Sequence, residues 1–281
     1  MKQIGNRSYT HVLYHRGCPD GFGAAWAAWR KLGDAAKYIP VQYGEPFPVM
    51  PADAAVITVD FCYPKERLLE LRGKVKSVVV VDHHVTALQS AGDLPDTHFD
   101  MTHSGAVLSW MHFHPDKPVP ELLLYVEDRD LWRFELPDSR EFSAALSSYE
   151  MRFDLWEGLA TMGLDKLRHD GGVILRMQAR QVENICARAY WREIDGHKVP
   201  VVNATTFTSE VGDRLCQLHP TAPFSAFFYD IEGLRCWGLR SPGRLDVSAI
   251  AKKFGGGGHP SAAGFTTKPC SKTSMTEVCG T

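Results

Sequence analysis

A chain of 281 residues can form two domains, each burying its own core. Apolar residues make up 44% and charged residues 23%, an ordinary globular balance that excludes a chain disordered throughout. The net charge of −2 excludes a surface built to track long duplex nucleic acid, but it leaves room for a short phosphorylated substrate held by local cations.

The seven cysteines (Cys18, Cys62, Cys186, Cys216, Cys236, Cys270 and Cys279) are odd in number and contain no C-x-x-C pair. Free thiols in a reducing compartment are therefore expected, rather than a disulfide framework or a zinc ribbon. Residues Met1 to Thr10 lack a signal-peptide apolar segment, and no stretch approaches a membrane span. A cytoplasmic protein with no membrane partner is expected.

In chain order, His11 to His15 reads as a short strand and is followed by a loop through Cys18 and Asp20. Phe22 to Trp29 is Ala-rich and reads as a helix packed closely on a sheet. Lys37 to Tyr43 is a second strand, and Pro46, Pro48 and Pro51 break the chain after it. Ala55 to Val59 is an apolar strand ending in Asp60. Lys65 to Arg72 is an amphipathic crossover helix leading to Val78-Val79-Val80-Val81, a run that reads as a strand buried on both faces. This strand–helix alternation predicts a parallel sheet built of βαβ units.

The valine run ends in Asp82-His83-His84, and ligand chemistry in such sheets sits just beyond the carboxyl ends of the strands. Helices are expected over 104–114, 121–132 and twice within 139–162. A long helical stretch from 164 to about 194, interrupted at Gly171-Gly172, reads as a connector. Beyond it strands are expected at 199–202, 224–229 and 236–239, with helices at 209–219 and 246–254. Residues 268–281 read as a frayed tail. The pair His112-x-His114 reads as a solvated helix end, not a metal pair.

Oxygen and imidazole donors suit Mn, Mg, Fe or Zn, and neighbouring carboxylates can hold two ions roughly 3.5–4 Å apart. Candidate ligands are His15, Asp20, Asp60, His83 and Asp128. Asp130 competes with Asp128 for one role, and Asp128 is preferred. The run Gly255 to Gly258 ahead of His259 reads as a phosphate-contacting loop, because glycine amides approach phosphate without a Cβ in the way. Around it Arg235, Arg240, Arg244, Lys252 and Lys253 face one acid, Asp246.

Five segments in order resemble the DHH phosphoesterase superfamily, in the subgroup with the DHH-associated C-terminal domain. They are H-R-G-C-P-D-G-F-G-A-A at 15–25, V-I-T-V-D at 56–60, V-V-V-V-D-H-H at 78–84, E-D-R-D at 127–130 and G-G-G-G-H-P-S-A-A-G-F at 255–265. The resemblance implies an α/β protein with a parallel-sheet DHH domain over 1–165, a helical connector over 166–194, a smaller α/β domain over 195–268 and a tail over 269–281. The active site is then expected in the cleft between the two domains.

It further implies a binuclear, usually Mn-dependent phosphoesterase acting on short single-stranded oligonucleotides or small nucleotides, as nano-RNases and phosphatases of 3′-phosphoadenosine 5′-phosphate do. Asp60 would bridge the ions. Asp20, His83 and Asp128 would serve one of them and His15 the other. His84 would sit beside the scissile phosphate, with Asp82 orienting the imidazoles. Arg240, Gly256, Gly257, Gly258 and His259 would hold the substrate.

The family's first motif usually has two acids spaced D-x-D, and here Cys18 stands in the place of the first. A Cys18 thiolate ligand would favour Zn or Fe; a bystander thiol would leave that position to water. Nucleotide bisphosphate or cyclic dinucleotide hydrolysis, and a catalytically idle nucleotide-binding protein, are the alternative readings. A homodimer is left open.

Overall fold

A computed structural model describes residues 8–268. The chain divides into two compact units between Met177 and Gln178. In the first, β1 (His11–His15), α1 (Pro19–Leu32), β2 (Lys37–Val41), β3 (Ala55–Val59), α2 (Lys65–Arg72), β4 (Ser77–Asp82), α3 (Val85–Ala91) and β5 (Thr97–Phe99) follow in order. The helices α4 (Gly105–Phe113), α5 (Glu121–Asp130), α6 (Ser139–Leu146) and α7 (Phe153–Met162) come next, and α8 (Asp165–Cys186) begins in the first unit and ends in the second. The strands form a five-stranded sheet in the order β2-β1-β3-β4-β5, and every pairing is parallel.

The alternation of side chains along β4 explains its valine run. Val78 and Val80 pack with Leu68 and Leu71 of α2 and Ala87 and Ala91 of α3. Val79 and Val81 face the other way, against Ala24 and Ala28 of α1 and Leu108 of α4. The strand is buried on both faces, as a parallel sheet covered by helices requires. Outside α1, a further helical layer buries Trp26, Tyr125, Phe142 and Trp156. Each such side chain contributes roughly 1.5–3 kcal/mol of hydrophobic stabilisation.

The second unit contains β6 (Tyr190–Ile194), β7 (His197–Asn203), α9 (Thr208–Leu218), β8 (Ser225–Ile231), β9 (Leu234–Arg240), α10 (Val247–Lys253), β10 (Gly257–Gly258) and β11 (Ala262–Thr267). Its six-stranded sheet has the order β10-β11-β9-β8-β7-β6. Only β7 and β8 pair in parallel, joined by the α9 crossover; the other neighbours are antiparallel.

Three expectations are corrected. The helix expected to break at Gly171-Gly172 runs unbroken as α8 and ends at Cys186, and Tyr190–Ile194 is a strand. Gly171 lies against α6, where a Cβ would sit 1.8 Å from the Glu141 carbonyl oxygen, so the residue serves close packing. Gly257-Gly258 is a strand of a tight hairpin, closed by His259 N–H to the Ala262 carbonyl at 2.8 Å. His114 is buried, stacks on Trp110 at 4.1 Å and lies with Nε2 3.0 Å from the Ala27 carbonyl. The tail expected over 269–281, with Cys270 and Cys279, lies outside the described residues. No helix among the described residues is long and apolar enough to cross a membrane.

Candidate metal centre

Register builds the site. Tyr14 pairs with Val59, and Val59 with Val81, so the residues after them, His15, Asp60 and Asp82, end three adjacent strands in one row. Asp60 has φ 53°, a left-handed conformation unusual outside glycine, while its N–H still donates to the Val81 carbonyl at 3.0 Å. Such strain clusters at functional sites. Gly105, at the start of α4, makes room for it: a Cβ there would lie 2.4 Å from Asp60 Cβ.

The loop after β1 supplies two more groups. Cys18 is the N-cap of α1, its sulfur accepting from the Gly21 N–H at 3.1 Å. A Cβ on Gly21 would meet the His15 carbonyl oxygen at 2.3 Å, so this glycine permits the turn to close on β1. Asp20 is buried, and its two carboxylate oxygens accept from the N–H groups of Gly105 at 2.7 Å and Ala106 at 2.9 Å, in the first turn of α4. These bonds use part of its acceptor capacity and fix its direction.

The groups converge on His83. Its Nε2 lies 3.2 Å from Asp60 Oδ1, 3.5 Å from Asp20 Oδ2 and 3.6 Å from Asp130 Oδ2. On the other side of Asp60, Oδ2 lies 3.5 Å from His15 Nδ1 and accepts from the Cys18 thiol at 3.5 Å. Donor atoms of Asp20, His83 and Asp130 lie within 4.8 Å of one another, as do those of His15, Cys18 and Asp60. Asp60, Asp82, His83 and His84 form another such group. Asp82 Oδ1 accepts from the His83 N–H at 2.8 Å and holds His84 Nδ1 at 2.7 Å. The His15 and His84 rings stand 6.1 Å apart, edge to face. Tyr43, from the loop after β2, meets His15 edge-on at 5.8 Å.

Asp128 is not part of this gathering. Its oxygens accept from the N–H groups of Glu135 at 2.9 Å and Leu136 at 3.3 Å, holding the loop after α5. Asp130, the last residue of α5, reaches His83 instead, and the ligand preferred from the sequence is corrected accordingly. Glu127, the first acid of the E-D-R-D segment, has a packing role instead. It is buried and accepts from the Ser104 N–H at 2.8 Å, tying α5 to the start of α4.

The electrostatics are those of a cation site. Burial pushes the Asp20 carboxyl well up, and the Asp130 and Asp60 charges push it further. Burial and Asp60 likewise raise Asp130. Burial would raise Asp60 too, but hydrogen bonds from His15 and His83 outweigh it and hold Asp60 well down. Burial opposes charge on His83, yet Asp60, Asp130 and Asp20 drive it strongly up. Burial and the same acids raise the Cys18 thiol, which stays neutral without a cation. A divalent ion offsets this repulsion, and the oxygen and imidazole donors fit Mn, Mg, Fe or Zn. Cys18 can join as a softer ligand once a cation lowers its thiol.

In the second unit, Arg240 closes β9 opposite Ala262 and so lies beside the glycine hairpin. Its guanidinium donates to Ser209 Oγ at 2.9 Å and stands 5.3 Å over the Phe227 ring. The hairpin is less open than the sequence suggested. Gly255 and Gly256 direct their N–H groups back to Lys252 and Ala251, capping α10, so the Gly256 amide is not available to a phosphate. Gly257 pairs with Gly264, and Gly258, φ 137°, pairs with Ala263 and leads into His259.

The two-sheet α/β fold, whose strand β4 runs into an Asp-His-His tripeptide, is similar to that of a solved DHH domain. No family model matches the chain. Among solved structures, the DHH domain of PF0399, a member of the S1p family of ribosomal proteins, aligns with a TM-score of 0.53 at 12% identity, over 92% of this chain and 83% of that one. An exopolyphosphatase-related protein from Bacteroides fragilis aligns with a TM-score of 0.51 at 15% identity, over 95% and 88%. The chain belongs to the family of uncharacterized protein R106 of Acanthamoeba polyphaga mimivirus. The two are 32% identical over 299 residues, spanning 96% of this chain and 70% of that protein.

Proposed function

We propose that the protein is a divalent-metal-dependent phosphoester hydrolase acting on short oligonucleotides or small nucleotides, with Mn as the expected ion. The observation that carries this reading is the position of Asp60 between two donor groups, His83 with Asp20 and Asp130 on one side and His15 with Cys18 on the other. Two bound divalent ions supply Lewis acidity that makes water nucleophilic near neutral pH and offsets charge growing on the phosphoryl oxygens. Asp20 is oriented by the start of α4 and Asp60 by the β3 terminus, so the ligands are set before an ion arrives. Asp82 grips His84 at Nδ1 and so fixes the ring that would meet the phosphoryl group. In the second unit, Arg240 and His259 are the groups assigned to the substrate's phosphate or base.

The test is a hydrolysis screen with Mn, Mg, Zn and Fe. Substrates should include di- to pentanucleotides, 3′-phosphoadenosine 5′-phosphate, cyclic dinucleotides and inorganic polyphosphate, the last because one structural neighbour is exopolyphosphatase-related. Mononucleotide release that EDTA abolishes is expected, falling by about a hundredfold or more in a folded Asp60→Ala variant. Nucleotide binding without turnover under every ion would instead favour an idle binding protein. Cys18, standing where a carboxylate would complete the ligand set, is the observation on that side.

A further inference from the structure

The loop between β2 and β3 carries an aromatic surface to which the chemistry above assigns no task. Tyr43 is 46% exposed, although its ring lies beside the candidate ligand His15. It packs on Phe61 at 4.6 Å; Phe61 meets Tyr63 edge to face at 4.8 Å, and Tyr63 meets Phe47 at 4.9 Å. Phe61 and Tyr63 are buried, so Tyr43 is the solvent end of a firmly backed aromatic row. The loop itself is stapled. The Arg16 guanidinium donates to both oxygens of Glu45, at 2.6 and 2.9 Å, and to the Pro40 carbonyl at 3.3 Å.

A tyrosine left nearly half exposed, beside a cluster of acids that would hold cations and through them phosphates, keeps apolar surface in water that a planar ligand would cover. Free phosphate chains and sugar phosphates offer no such plane; a nucleobase does. We propose that Tyr43 is the platform on which the base of a nucleotide substrate stacks, and that it thereby selects nucleotides over base-free phosphoesters. The proposal deepens, and rests on, the phosphoester reading of the same site. Every base has a π-face, so the platform is indifferent to which base it receives.

The experiment compares diadenylate with its abasic counterpart, two riboses joined by the same phosphodiester, in wild type, Tyr43→Ala, Tyr43→Phe and Tyr43→Trp. In Tyr43→Ala the KM for diadenylate rises about tenfold or more, kcat stays within about twofold and the abasic substrate is unaffected. Tyr43→Phe and Tyr43→Trp behave as wild type. An equal rise for both substrates, or no rise, overturns the proposal.

Calorimetric titration with AMP and ribose 5-phosphate in the presence of Mn separates this outcome from failure of the phosphoester reading. In a protein that hydrolyses nothing, AMP preferred about tenfold by wild type and not by Tyr43→Ala still supports the platform. Equal affinities, or binding of neither compound, sink it.

Discussion

Asp130 ends α5 with Oδ2 3.6 Å from His83, while Asp128, two residues back, holds the N–H groups of Glu135 and Leu136. Their removal should therefore fail in different ways. Asp128→Ala strands two inward-facing N–H groups and should cost about 1–3 kcal/mol in urea unfolding, with ion affinity retained. Asp130→Ala should leave stability nearly unchanged, because it also relieves repulsion with Asp20 and Asp60, but should weaken Mn binding by calorimetry. Unaltered Mn affinity would remove Asp130 from the ligand set.

His114 offers a pH test away from the centre. Burial lowers its pKa from 6.5, and the Ala27 carbonyl, which only accepts, fixes the proton on Nε2. Above 6.5 both folded and unfolded chains carry it neutral, and its contribution is complete. As pH falls below 6.5 the unfolded chain takes up the proton first, so stability is lost until the lower folded value is passed. Denaturant midpoints should fall less steeply below 6.5 in His114→Gln than in wild type.

At the scale of elements, the valines of β4 were legible because burial on both faces leaves a contiguous apolar signature. The short strands β5 and β10 were not: three and two residues carry too little periodicity to mark a strand. The glycine pair in α8 was misread, because a sequence cannot distinguish a glycine that breaks a helix from one that lets another helix approach. The two glycines should separate on mutation. Gly172 faces open space, and Gly172→Ala should stabilise by about 0.5–1 kcal/mol. Gly171→Ala would drive a methyl into the Glu141 carbonyl and should lower the thermal midpoint by several degrees at least. Equal effects would place α8 differently on α6.

For the molecule as a whole, the part of the centre that follows strand ends was readable. His15, Asp60 and Asp82 to His84 come after apolar runs whose parallel register puts them in one row. What depends on helices packing together was not readable. Nothing local in Glu127-Asp128-Arg129-Asp130 tells which acid faces the sheet, and nothing before Gly105 announces that Asp60 needs the space.

Pro40 interrupts the donors of β2, and β5 and β10 are too short to template a neighbour. β6 has neither protection: Tyr190 and Trp191 are each 46% exposed on a full-length outer strand. Concentrated solutions should therefore age from this rim, through β-pairing of one copy with another. Trp191→Lys should then delay the onset of light scattering without altering turnover.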